Sequence, residues 1–178
     1  MKVKHISIAV YPEQTGNPVF GAPADLTAYI LEPVEGITDK KRPAVLLCPG
    51  GGYHKLSGRE DQPIAMKYLA AGFHVFVLHY SLVPDVFPRA LMELALSMKL
   101  IREHGNEWNV DVKRIAVSGF SAGGHLACCL GTFWNKEWLY KALEVKPEMI
   151  QPNGMILCYP VITSEEYCHK GSFECLMG

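Results

Sequence analysis

The chain has 178 residues, a length that suits one domain with a real hydrophobic core. Hydrophobic residues make up 49% and charged residues 20%, close to the averages for globular proteins. The formal net charge is -1, which removes any electrostatic argument for a nucleic-acid partner or an anionic membrane. No stretch approaches the roughly 20 apolar residues of a membrane span. Met1, Lys2, Val3, Lys4 and His5 lead into an alternating segment without the apolar run of a signal peptide. A cytoplasmic location is the default expectation. The six cysteines agree with it, since none forms a C-x-x-C pair and no Cys/His spacing matches a zinc site. Cys168 and Cys175 are the one pair considered for a disulfide, and no metal or cofactor is expected.

In chain order, Ile6, Ser7, Ile8, Ala9 and Val10 alternate as a half-buried strand does. A turn-rich stretch with Gly16, Asn17 and Gly21 follows. Leu26, Ala28 and Ile30 then fall on one face of a second strand, so the two read as an antiparallel hairpin at a sheet edge. Beyond it the pattern changes to short continuous apolar runs at residues 44–48, 75–78, 115–117 and 155–158, as expected of strands covered on both faces. Helices separate them. One spans residues 62–71, with Pro63 in its first turn and Gly72 at its end. A second carries Leu91, Leu94, Ala95, Met98 and Ile101 at helical spacing, between Pro88 and Gly105. A third follows Ser121 through small residues. Strand–helix alternation predicts an α/β fold, a mostly parallel sheet with helices on both faces. The stretch 133–147 interrupts that rhythm and reads as a small lid. The last residues, 173–178, show no pattern of a terminal helix.

Gly119, Ser121 and Gly123 form G-x-S-x-G. The pattern alone arises by chance in about one chain in ten of this length, from the frequencies of Gly and Ser. Its setting carries more weight. A buried strand precedes it and a helix of small residues follows, the arrangement that holds a serine on a strained turn with its hydroxyl at the carboxyl edge of a sheet. Flanking glycines leave room for the bend. The second informative segment is Cys48, Pro49, Gly50, Gly51, Gly52, Tyr53 and His54. Consecutive glycines at a strand end expose backbone N–H groups, the donors that acyl transfer needs for the oxyanion of a tetrahedral intermediate. One donor comes from such a loop and another from the residue after the nucleophile, here Gly51 or Gly52 together with Ala122. Nucleotide binding is the competing chemistry for a glycine loop, but G-x-G-x-x-G and the Lys-Ser/Thr ending are both missing.

Together with the segment 57–61 and with Tyr159, Pro160, Val161 and Ile162, these motifs resemble the small α/β-hydrolase esterases of the acetyl esterase and acetylxylan-esterase-like type. The resemblance runs from Ile6 onward. It implies the α/β-hydrolase fold, a three-layer sandwich, and hydrolysis of short acyl esters, acetyl groups on sugars among them, through an acyl-Ser121 intermediate. Pro49 replaces the histidine of the HGGG form.

A serine needs a histidine base, and the base needs an orienting carboxylate. In this fold their chain order is Ser, then Asp or Glu, then His. No aspartate follows Ser121, and only His125 and His169 do. His125 lies one turn along the nucleophile's own helix, where a packing role is expected. His169 follows the fourth parallel strand, in a loop or cap region. The expectation is therefore that residues 1–178 form a single domain comprising the N-terminal two-thirds of the fold. The C-terminal strand–helix units that carry acid and base would be missing, with homo-oligomerisation as another way to complete the site. Tyr53 and His54 are candidates to line an acyl or leaving-group pocket. Arg59, Glu60 and Asp61 are expected to cap the following helix, His74 and His79 to be structural, and Trp108, Trp134 and Trp138 to pack rather than to form a sugar platform. Peptidase or arylformamidase chemistry, and a non-catalytic ligand-binding domain, are the rival functions.

Overall fold

The computed structural model describes residues 1–34 and 40–178. Six strands form one sheet in the order β1-β2-β4-β3-β5-β6: β1 Lys2–Ile8, β2 Ala24–Ile30, β3 Arg42–Cys48, β4 His74–His79, β5 Val110–Phe120 and β6 Gly154–Cys158. The hairpin expected at the edge is β1–β2. Its first strand lies earlier than the alternation in residues 6–10 indicates. β2 runs antiparallel to β4, and β4, β3, β5 and β6 are mutually parallel. The four continuous apolar runs are the cores of these four strands.

In β3, β4 and β5 the continuous runs reflect cover on both faces of the sheet; the run of β6, the strand at the other edge, departs from that expectation, with Met155 and Ile156 exposed. Successive residues point to opposite sides of a strand. Leu46, Phe76, Leu78 and Val117 accordingly join one apolar cluster with α3 (Arg89–Glu103) and α4 (Ala122–Phe133). Leu47, Val75, Val77 and Tyr29 join another with Ala65 and Leu69 of α2 (Gln62–Ala70). The result is three layers, as expected of the α/β architecture.

Two local expectations are corrected. The stretch 133–147 is not a lid. It holds α5 (Glu137–Ala142) and leads into α6 (Pro147–Ile150), and Leu139, Leu143, Val145 and Ile150 are buried in the larger cluster. The C-terminus does form a helix, α7 (Lys170–Met177). Its apolar Phe173 meets the His125 ring, and its Leu176 is buried and accepts Phe87 N–H at 2.8 Å. Tertiary packing supplies what a sequence with Gly171 in the first turn does not. Cys168 and Cys175 are free thiols. No helix among the described residues is long and apolar enough to cross a membrane.

The link between β4 and α3 is fixed by a buried ion cluster. Arg89 Nε donates to Glu93 Oε1 at 3.0 Å, and Arg89 Nη2 donates to the carbonyls of Gly21 and Ala22. Arg89 Nη1 faces Asp85 Oδ1 at 2.6 Å off the line of a directed hydrogen bond, so this contact is ionic. Asp85 also accepts the amides of Phe20 and Gly21, and Glu93 accepts the amide and hydroxyl of Ser81. Burial pushes the Glu93 carboxyl upward, and the bonds from Ser81 and the Arg89 charge oppose that shift. Replacing Arg89 by Met would strand two buried carboxylates. Urea unfolding of Arg89→Met should show a loss on the order of 3–5 kcal/mol.

His74 and His79 are structural, as expected. His74 accepts Leu31 N–H and meets Asn109 O. His79 stands between two carboxylates, with Nε2 at 2.6 Å from Asp61 and Nδ1 at 3.6 Å from Asp25. The hydrogen bond to Asp61 raises its pKa against the opposing effect of burial, with the Asp25 charge adding to the rise. A raised folded-state pKa gives stability that is complete below the unfolded value of about 6.5 and fades as pH climbs through the folded value. His5 also contacts Asp25, but among the described residues His79 is the histidine whose ring faces both Asp25 and Asp61. His79→Gln should therefore flatten the decline in thermal midpoint above about pH 6.5 that the parent chain shows.

Candidate active site

The register of β3 on β5 pairs Cys48 with Gly119, so the two strands end side by side at their carboxyl edge. The glycine loop leaves one end and the serine turn leaves the other. α4 starts immediately after Ser121, hard against the end of β3. A Cβ on Gly123 would lie 2.1 Å from Cys48 O, and one on Gly119 would lie 2.1 Å from Gly123 O. The two glycines of the motif are thus required by backbone meeting backbone.

Ser121 has φ 51° and ψ −118°, a conformation that an L-residue avoids at a cost of about 1–3 kcal/mol. Its backbone is held on every side. Its N–H donates to Cys158 O at 3.0 Å, and its carbonyl accepts His125 N–H at 3.0 Å and Val161 N–H at 3.2 Å. With the main chain fixed by β6 and α4, the Ser121 side chain stays partly exposed at the turn.

The loop opposite is equally determined. Gly51 and Gly52 have φ of 132° and 68°, open to glycine, and Tyr53 continues with φ 62°. Gly50 O accepts Ser57 N–H at 2.8 Å, and Gly51 O accepts the amides of His54 and Lys55 at 3.4 and 3.3 Å. In a planar trans peptide the N–H points opposite to the preceding carbonyl. Tying down those two carbonyls therefore turns the amides of Gly51 and Gly52 the other way. Among the described residues neither amide, nor that of Ala122 at the start of α4, is engaged in a hydrogen bond. Gly50 is spoken for, since its N–H donates to Glu60 Oε2 at 2.9 Å. A Cβ on Gly50 would lie 3.1 Å from the Cβ of Ser121, which fixes the loop beside the serine.

The other candidates fall as follows. Tyr53 is buried and hydrogen-bonds through its hydroxyl to His125 Nδ1 at 2.8 Å. Together with Leu91, His125, Leu126, Cys129 and Leu176 it lines a small apolar crevice. Burial drives the Tyr53 phenol upward and the His125 imidazole downward, so both are held neutral at their shared bond. His54 is exposed, with its Nδ1 at 3.0 Å from where a Gly52 Cβ would sit. His169 caps α7, its Nδ1 accepting Ser172 N–H at 3.3 Å and lying 2.8 Å from Ser172 Oγ. Among the described residues no histidine ring hydrogen-bonds to the Ser121 hydroxyl. No group of three or more His, Cys, Asp or Glu among them stands close enough to hold a metal ion. Trp108 is buried, stacked on His104 and Phe76.

The expectation for residues 59–61 is corrected. Asp61 occupies the N-cap of α2 but makes no side-chain cap; its carboxylate turns to His79 instead. Glu60 reaches the glycine loop and the phenol of Tyr159. Its role in the site was not legible, because an acid just before a helix has an ordinary local use and the partners lie 10 and 99 residues away.

The BD-FAE family model matches residues 33–156. The chain is 32% identical over 148 residues to endo-1,4-beta-xylanase B of Butyrivibrio fibrisolvens, which covers 79% of this chain and 22% of the xylanase. It is 30% identical over 131 residues to an acetylxylan esterase of Xylanibacter ruminicola, covering 72% of this chain and 25% of the esterase. The crystal structure of an acetyl ester-xyloside bifunctional hydrolase from Caldicellulosiruptor lactoaceticus superposes with a TM-score of 0.78 at 30% identity, over 98% of this chain and 63% of that one. The chain therefore spans about a quarter of these two curated relatives and less than two-thirds of the solved structure. With a family match over most of its length and esterase structures sharing its architecture, this chain belongs to the BD-FAE family and has the α/β-hydrolase fold.

Proposed function

We propose that this chain carries the nucleophile and oxyanion site of a serine carboxylic ester hydrolase that removes short acyl groups, acetyl above all, from carbohydrate esters. The observation that carries the reading is Ser121, held at φ 51° beside a glycine loop whose free amides are turned away from their tethered carbonyls. Ser121 Oγ attacks the acyl carbon and passes its proton to a base. The carbonyl electron pair becomes an oxyanion met by the amides of Gly51 or Gly52 and Ala122. When the oxyanion collapses, the alcohol leaves with a proton from the base; water then repeats the sequence on the acyl-serine to release the acid. Tyr53 and His54 flank the acyl or leaving-group side. Acetyl esters of sugars are favoured over peptides and formamides by the acetylxylan esterase and acetyl ester-xyloside hydrolase among the relatives.

Neither the His125 ring nor the His169 ring hydrogen-bonds to Ser121, so imidazole in solution can stand in for the base. Mass spectrometry of the chain treated with p-nitrophenyl acetate should find one acetyl group on Ser121, formed slowly alone and faster with added imidazole, and absent in Ser121→Ala. Acetylation that persists unchanged in Ser121→Ala would refute the assignment. Fast turnover without imidazole would instead make one of the chain's own histidines the base.

A further inference from the structure

One carboxylate touches both sides of the site. Glu60 ends a single 3₁₀ turn, Gly58–Glu60, that closes with Glu60 N–H donating to Ser57 O at 3.0 Å. The same turn grips Gly50 at both of its polar groups. Ser57 N–H donates to Gly50 O at 2.8 Å, and Gly50 N–H donates to Glu60 Oε2 at 2.9 Å. A Cβ on Gly50 would lie 2.6 Å from Glu60 Oε2, 2.7 Å from Phe120 O and 3.1 Å from Ser121 Cβ. Carboxylate, loop and serine turn therefore converge on one point that has no room for a side chain.

The second oxygen of Glu60 is also used. Oε1 accepts the Tyr159 hydroxyl at 2.8 Å. Tyr159 directly follows β6, is 66% exposed, and has φ 36°, in the left-handed region where a residue of its bulk is rarely found. Such a conformation persists only when its surroundings enforce it. Here the enforcement comes from the Phe120 ring, 5.7 Å away, and from the neighbouring Cys158 and Val161, two of the three residues that bond the Ser121 main chain. Glu60 thus bridges the segment that fixes the serine to the segment that presents the free amides.

We propose that Glu60 is a positioning residue for acyl transfer, with Tyr159 as its anchor. Its carboxylate holds the Gly50 N–H while the turn it ends holds the Gly50 carbonyl through Ser57 N–H, and the two together set the plane of the next peptide and so the direction of the Gly51 N–H. A carboxylate this close to a developing oxyanion would oppose it, but both Glu60 oxygens already accept hydrogen bonds that draw their charge toward Gly50 and Tyr159. The inference rests on the reading of Ser121 as nucleophile.

The test is the rate of Ser121 acetylation by p-nitrophenyl acetate with imidazole as base, followed over a range of ester concentrations. Glu60→Ala should lower the maximal acylation rate at least tenfold, with the roughly 100- to 1,000-fold cost of losing one oxyanion donor as the ceiling, and leave the half-saturating concentration unchanged. Glu60→Gln keeps an acceptor for Gly50 N–H and should recover most of the rate. Tyr159→Phe, a surface change that does not threaten the fold, should lower the rate several-fold in the same pattern, and it carries the test if Glu60→Ala fails to fold. Parent-like rates in Glu60→Ala or, where that variant does not fold, in Tyr159→Phe, with no acetylation in Ser121→Ala, would overturn the proposal alone. Undiminished acetylation in Ser121→Ala would overturn it together with the hydrolase reading.

Discussion

The carbonyl of Cys48 and the Cα of Gly123 stand so close that no side chain fits between them. This backbone contact couples the carboxyl end of β3 to the start of α4, and the site follows from it. The glycine loop has to leave β3 next to the turn that begins α4. Ser121 sits at the bend because the chain must reverse from strand to helix within a residue or two while clearing β3. Strain at Ser121 is tolerated because three backbone hydrogen bonds, two of them to the segment at and beyond the end of β6, over-determine its position.

The parallel sheet supplies the geometry that this contact needs. Four strands point the same way, so their carboxyl ends share one edge, and loops from different strands meet there without any strand having to bend. Burial on both faces makes the strands stiff: Val45, Leu46, Leu47 and Cys48 are all fully enclosed just before the glycine loop departs. The buried Arg89 cluster does similar work one layer out, fixing the path from β4 to α3. That path carries Val83, whose N–H donates to Tyr53 O at 3.0 Å.

Much of this was legible in the sequence. The continuous apolar runs marked the parallel strands because double burial leaves no polar face in β3, β4 and β5; β6 carries the same kind of run although its Met155 and Ile156 are exposed. G-x-S-x-G between a strand and a small-residue helix marked the turn because steric exclusion dictates glycine there. What was not legible depends on contacts distant in sequence. The segment 133–147 looked irregular, yet Leu139 and Ile150 bury themselves against the core. α7 has little helical propensity and forms against Phe87 and His125. Glu60 reads as a helix-capping acid because local use is all that a linear pattern displays; its hydrogen bond to Tyr159 exists only once the sheet has brought β6 alongside β5.

The bond between Tyr53 and His125 has a consequence for how the cleft responds to a guest. Tyr53 continues the glycine loop and His125 belongs to the helix that begins at Ser121, so loop and helix are pinned to each other through neutral, water-poor partners. The bond resists their moving apart. A cleft built this way has its dipoles oriented before any molecule arrives and spends little energy rearranging them as charge builds up.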